Sequence, residues 1–275
     1  MRSSISAVHG PDIRADVLAF GPHPDDLEIG LGATLAMHAA SGHRVGLCDL
    51  TRGELASNGT PEERLAEAEQ ARVVLGAAWR KNLGWPDRGI GGRDAHVKNA
   101  AALIRRVRPR VIAIPYWADR HPDHGAASRV LTDAVFNARL RRYPLEGEPW
   151  NPEWVCYYFI NDSAPPSFVL DVSAHYEAKR RALACYRSQF EQPPGHEASA
   201  AVGQRDGGPT KLRKGSRVPA AQGNGAVATR LTSPRFRQLI ESRDAQFGAL
   251  AGVAFAEGFI VKEPVLRATL FRQIP

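Results

Sequence analysis

Two short segments concentrate the side chains that can do chemistry. The first is Gly21-Pro22-His23-Pro24-Asp25-Asp26-Leu27-Glu28, with one imidazole and three carboxylates within six positions. The second is Trp117-Ala118-Asp119-Arg120-His121-Pro122-Asp123-His124, with two imidazoles three positions apart. Imidazole and carboxylate are the nitrogen and oxygen donors that suit zinc, and iron accepts the same set. Together the segments offer three ligands for one divalent ion and at least two spare acid/base groups. A catalytic zinc needs three protein ligands and an open position. Taken alone, each segment has a plainer reading: HPDD as a turn whose aspartate caps a helix, HPDH as a loop with a satisfied histidine.

The elements around these segments must aim them. Residues 16–21 read as a short buried strand directly before the first segment, and 110–115 as a strand before the second. Further strands are expected at 44–50, 79–83, 155–160, 168–171 and 255–261. Helices are expected at 27–41, 94–107, 125–142, 173–190 and 233–251, and from the N-cap-like Thr60-Pro61-Glu62-Glu63 to about 75. Gly42 suits a helix C-terminus. Strands separated by helices of ten or more residues imply βαβ units. The expected fold class is α/β, a Rossmann-like, mostly parallel sheet flanked by helices. Such sheets bind ligands beyond the carboxyl ends of their strands, where both segments lie.

The 275-residue chain is 43% hydrophobic and 24% charged, which fits one α/β domain over 1–275 with a sizeable core. Residues 195–229 hold seven glycines and almost no large apolar side chain, so they read as a flexible insertion within it. Six basic side chains at 195–230 against two acidic ones give that stretch +4 of the net +7. A basic loop is a weaker nucleic-acid signal than a basic folded face, so no nucleic-acid partner is expected. No apolar stretch is long enough for a membrane span, and residues 1–16 lack the apolar region of a secretory signal. Cys48, Cys156 and Cys185 show no CxxC spacing and read as reduced thiols. The expected location is therefore the cytoplasm. Gly30-Leu31-Gly32 lies inside a helix after an acidic loop and is no phosphate cradle, against a nucleotide-binding alternative.

The pair GPHPDDLE and DRHPDH resembles the motifs of the LmbE-like, or PIG-L, zinc deacetylases, which have a Rossmann-like fold and act on N-acetylglucosamine conjugates. CDLTRGELASNGTPEERLAEA, LGWPDRGI, IPYWADRHPDHGAAS, YRSQF and FAEGFI are similar to the bacillithiol-pathway branch, which deacetylates N-acetyl-α-D-glucosaminyl L-malate. That branch lacks the 195–229 stretch and often carries an acidic residue where this chain has Arg52. By position, the resemblance implies His23, Asp26 and His124 as metal ligands, Asp25 as general base, and a protonated His121 as partner of the oxyanion. Asp123 is a candidate counter-anion for His121. Arg52, Arg88 and Arg120 are candidates for malate carboxylates, with Arg120 foremost. Ser57 and Asn58 are candidates for hydrogen bonds to the substrate. The resemblance also implies a homo-oligomer acting on a small amino-sugar substrate. Another amino-sugar conjugate, such as a mycothiol precursor, a chitooligosaccharide or an antibiotic glycoside, is the alternative.

Overall fold

A computed structural model describes residues 13–91, 94–192 and 226–264. Of the glycine-rich stretch 195–229, all but residues 226–229 lie outside the described residues. Seven strands form one sheet in the order β3-β2-β1-β4-β5-β7-β6. They are β1 (Val17–Gly21), β2 (Val45–Thr51), β3 (Trp79–Trp85), β4 (Val111–Pro115), β5 (Trp154–Tyr158), β6 (Phe168–Asp171) and β7 (Ala256–Ile260). The pairs β3-β2, β2-β1, β1-β4 and β4-β5 are parallel; β7 runs antiparallel to both β5 and β6. The mostly parallel sheet matches expectation.

Alternation along the strands splits the core into two faces. In β1, Val17 and Ala19 pack on one face and Leu18 and Phe20 on the other. The first face is covered by α1 (Asp26–Ala40), α2 (Pro61–Leu75), α5 (Tyr176–Cys185) and α7 (Pro234–Ala251). The second is covered by α3 (Asp94–Val107) and α4 (Pro122–Ala138). Among the described residues, no helix is long and apolar enough to cross a membrane.

The N-terminal signals of α2 act as their chemistry predicts. Thr60 Oγ1 accepts from Glu63 N, Glu63 Oε2 accepts from Thr60 N, and Pro61 opens the helix. Two helices depart from expectation. α4 begins at Pro122 with His121 as N-cap, so His124 sits in its first turn rather than in a loop before it. It ends at Ala138, not at 142, because Arg105 Nε and Nη2 draw off the carbonyls of Ala138 and Leu140. The expected helix 173–190 is a short turn at Ser173–His175, then α5, then α6 (Arg187–Phe190), interrupted at Tyr186.

A candidate metal centre at the sheet switch point

β1 and β4 are adjacent and parallel, so the segments that follow them leave the same edge of the sheet side by side. The loop after β1 is pinned from β2: Thr51 N and Oγ1 both donate to Pro22 O. Asp25 then takes a left-handed backbone, φ 111°, which a non-glycine residue adopts only when its surroundings impose it. The loop after β4 is organised by Asp119. Its carboxylate accepts from the backbone N–H groups of His121, Asn161 and Asp162.

Both loops converge on Asp26. Its Oδ2 lies 3.0 Å from His23 Nδ1 and 3.3 Å from His124 Nε2. Four zinc bonds of about 2.0–2.1 Å in a tetrahedron set ligand atoms roughly 3.3 Å apart, and the two contacts of Asp26 are of that order. His121 also comes within ligand range of both histidines, and His23 forms a second group with Asp87 and Asp123. Asp26 contacts two of the three rings in the first of these groups. With His23 Nδ1 toward Asp26, its Nε2 faces Asp87 Oδ1 and Asp123 Oδ2, each at 3.3 Å. With His124 Nε2 toward Asp26, its Nδ1 faces Asp119 Oδ1 at 3.0 Å. Each imidazole thereby has a carboxylate behind it to hold its outer N–H, the usual support of a metal-bound histidine.

The electrostatics are those of an anionic cage. Burial opposes charge on His23, but its hydrogen bonds to Asp123, Asp26 and Asp87 hold its pKa well above the usual histidine value. Burial likewise opposes charge on His124, yet Asp26 and Asp119 raise it to about 9. Against its own burial, Asp26 is held below the carboxylate range by the two imidazoles. In this cage a cation, whether protons or a metal, is favoured. Asp25 stands apart: burial pushes its carboxyl up to about 7, Arg64 pulling it down and Asp26 pushing it up.

His121 departs from expectation. Burial first, then His124 and His23, lowers its pKa, which disfavours the protonated ring expected of it. Its Nδ1 accepts from Asp123 N at 3.3 Å, which places the ring proton on Nε2. The Asp123 carboxylate is turned instead to His23 and Arg88. A neutral His121 can still donate through Nε2.

The substrate-side residues separate. Arg88 lies on the rim in a left-handed backbone, φ 59°, with its N–H donating to Asp123 Oδ2 at 2.8 Å and its Nη1 at 3.3 Å from Asp123 Oδ1. Arg120 is engaged: its guanidinium forks onto Asp162 Oδ1 through Nε and Nη2. Arg52 is exposed and makes no ion pair among the described residues, and Ser57 is exposed. Asn58 is a fastening residue. Its Nδ2 donates to Val227 O and its Oδ1 accepts from Val227 N, both at 2.8 Å, so its amide is committed to the chain itself.

Sequence reasoning missed Arg64, a buried arginine whose Nη2 donates to Asp25 Oδ2 at 3.1 Å and whose Nη1 donates to Gly53 O. Gly53 has φ 65°, and a Cβ there would strike the Arg64 guanidinium. Nothing in the PEERLAEA pattern marks Arg64 as different from a solvated helix arginine. Asp87 was missed as well, although it stands next to Arg88.

The fold and this edge define an α/β protein with a cluster of histidines and carboxylates, a candidate metal site, at its switch point. The sequence pattern of the PIG-L family, described as GlcNAc-PI de-N-acetylase, matches residues 18–135. A 1D-myo-inositol 2-acetamido-2-deoxy-alpha-D-glucopyranoside deacetylase of Thermomonospora curvata is 31% identical, the match covering 74% of this chain and 92% of that protein. A diacetylchitobiose deacetylase of Thermococcus kodakarensis is 29% identical, over 64% of this chain and 70% of that one. The crystal structure of a conserved protein from Thermus thermophilus superposes with a TM-score of 0.76 at 37% identity, covering 94% of this chain and 99% of that one. The chain belongs to the PIG-L family.

Proposed function

We propose that this protein is a divalent-metal-dependent hydrolase that removes the N-acetyl group from an N-acetylglucosamine conjugate. The observation that carries the reading is the placing of Asp26 Oδ2 between His23 Nδ1 and His124 Nε2, with Asp25 and His121 beside them. In this reading His23, Asp26 and His124 hold the ion, zinc or iron. A zinc ion there supplies Lewis-acid polarisation of the acetamide and brings the pKa of water to about 7. Asp25 takes the proton of the attacking water. Its carboxyl, pushed up to about 7, suits exchange of a proton near neutrality. His121 donates Nε2–H to the oxygen on which negative charge develops. Asp25 then returns its proton to the leaving nitrogen, and acetate and the free amino sugar separate. Asp119 and Asp123 fix the two imidazoles from behind.

For the substrate, N-acetyl-α-D-glucosaminyl L-malate in bacillithiol biosynthesis is the leading candidate. Arg88 on the rim and the exposed Arg52 could meet its carboxylates, whereas Arg120 would first have to leave Asp162. A second reading, an inositol conjugate or an acetylated chitooligosaccharide, is favoured by the names of the matched relatives. A panel of N-acetylglucosaminyl malate, N-acetylglucosaminyl inositol and diacetylchitobiose, assayed by acetate release, decides between them. Preference for malate supports the first. Equal or better turnover of a neutral conjugate rejects it, and no acetate from any of the three rejects the hydrolase reading. The proposal includes one cytosolic catalytic unit over 1–275, acting as a homo-oligomer without nucleic-acid or membrane partners. Full acetate release after deletion of 195–229 would support the insertion's independence from catalysis.

A further inference from the structure

Helix α1 is two pieces. At Leu31 the backbone leaves the helix (φ −145°, ψ 25°), so the turn that carries Asp26 is interrupted little more than one turn after it begins. A turn so short is not self-supporting, because nucleation costs more than its few hydrogen bonds return. Its loose carbonyls and the amides beyond the break need outside partners.

Arg243 of α7 provides one of them. Its Nη2 donates to Ile29 O at 2.8 Å. The Nη1 of the same guanidinium donates to Phe159 O and Ile160 O, at 3.1 and 2.9 Å. Those residues run directly into Asn161, whose N–H donates to Asp119 and whose side-chain amide lies 3.4 Å from His124 Nδ1. One planar fork therefore joins the Asp26 turn to the segment that braces His124.

The fork is itself held from behind. Arg243 Nε donates to Asp244 Oδ1, and Asp244 Oδ2 accepts from Lys179 Nζ and Tyr176 OH. Lys179 Nζ also donates to Glu257 Oε1. Glu257, in the FAEGFI segment, accepts from Ala33 N and Thr34 N beyond the break, at 3.2 and 2.7 Å. Two cations and two carboxylates balance within one buried network. The Arg243 side chain is 11% exposed, and those of Lys179, Asp244 and Glu257 are 1% exposed or less.

We infer that Arg243 is a positioning residue for the metal centre, setting the separation of Asp26 and His124 through Ile29 on one side and Phe159 and Ile160 on the other. The inference rests on the reading that His23, Asp26 and His124 hold an ion. An ammonium group is a point charge and cannot reproduce the fork, so Arg243→Lys keeps the charge while releasing the geometry.

The test uses the full chain loaded with Co2+, with affinity read by chelator competition and ligand geometry by the visible d–d spectrum. Folded R243K is expected to lose about tenfold to a hundredfold in Co2+ affinity and to show an altered spectrum. Tyr176→Phe removes a hydrogen bond from the same network but touches neither Ile29 nor the 159–160 segment, so it should keep wild-type affinity and spectrum. Wild-type affinity and spectrum in R243K overturn the inference, as does an equal loss in Y176F. Should R243K not fold, Asp244→Asn weakens the carboxylate that aims the fork through Arg243 Nε: a loss of affinity in the same direction is expected, and unchanged affinity and spectrum overturn the inference. A wild-type protein that takes up no Co2+ removes instead the metal-centre reading beneath it.

Discussion

The Asp25 carboxylate and the Arg64 guanidinium form a buried pair, Nη2 to Oδ2 at 3.1 Å, that joins the loop after β1 to the first turns of α2. The pair fixes the direction of a carboxylate whose backbone is already constrained, φ 111°. It also sets a balance: burial raises the Asp25 pKa, and Arg64 limits the rise.

Replacing Asp25 with Asn keeps the shape and removes the base. Acetate release should fall about a hundredfold to ten-thousandfold. Bound metal should remain stoichiometric, because Asp25 is not among the three proposed donors. Kinetics with metal analysis on one preparation checks both halves, and a near-normal rate would end the assignment of the base.

Arg64→Met acts on the base without touching it. The positive charge of Arg64 lowers the Asp25 pKa, so its loss raises that pKa further. The ionised form, which accepts the proton, is then confined to higher pH. The acid limb of kcat/KM should move upward in pH. A profile unchanged from wild type would show that Asp25 does not set that limb. Leaving Gly53 O without its donor should also cost about 1–3 kcal/mol of stability by denaturant titration.

Asp119→Asn and Asp123→Asn remove the carboxylates behind His124 and His23. Each should weaken metal binding about tenfold to a hundredfold, measured by chelator competition. Asp119→Asn should be the more damaging to stability, because its carboxylate also gathers the backbone N–H groups of His121, Asn161 and Asp162.

Metal-free protein should respond to pH in a defined direction. The His124 pKa is raised to about 9 in the fold, against about 6.5 in an unfolded chain. Its contribution to stability is therefore complete below about pH 6.5 and lost as pH rises through about 9. His23, also raised, acts with the same sign. Thermal melts of chelator-treated protein should show Tm falling between about pH 6.5 and about pH 9.5. With metal present the trend should weaken or reverse, because the ion takes the place of those protons. A metal-free Tm that rises over this interval would contradict the anionic cage.

The residue patterns made the strand and helix order legible, because short continuous apolar runs, the helix-length segments between them and the caps of α2 are local signals. They also made legible that the two motifs would meet, since both follow strands expected to be parallel; the choice of His23, Asp26 and His124 within them came from the family resemblance. What stayed hidden was non-local. Arg64, Arg80 and Arg243 look like any helix or strand arginine until the fold shows what lies across from them. Arg80 proves to fork onto Asp49 and to reach Glu28, both buried. The direction of Asp123, toward His23 rather than His121, depends on the turn that starts α4 at Pro122, one residue before it. Asn58 looked like a ligand-facing turn residue because its partner Val227 is far along the chain.

The pairing of β1 with β4, Val17 opposite Val111, carries an implication for chemistry some distance away. A slip of one residue between these strands moves one motif past the other by about 3.3 Å, more than a zinc bond can follow. Interior substitutions in the middle of the sheet, such as Ala19 or Ala113 to bulkier residues, should therefore announce themselves as lost metal while the protein still looks folded.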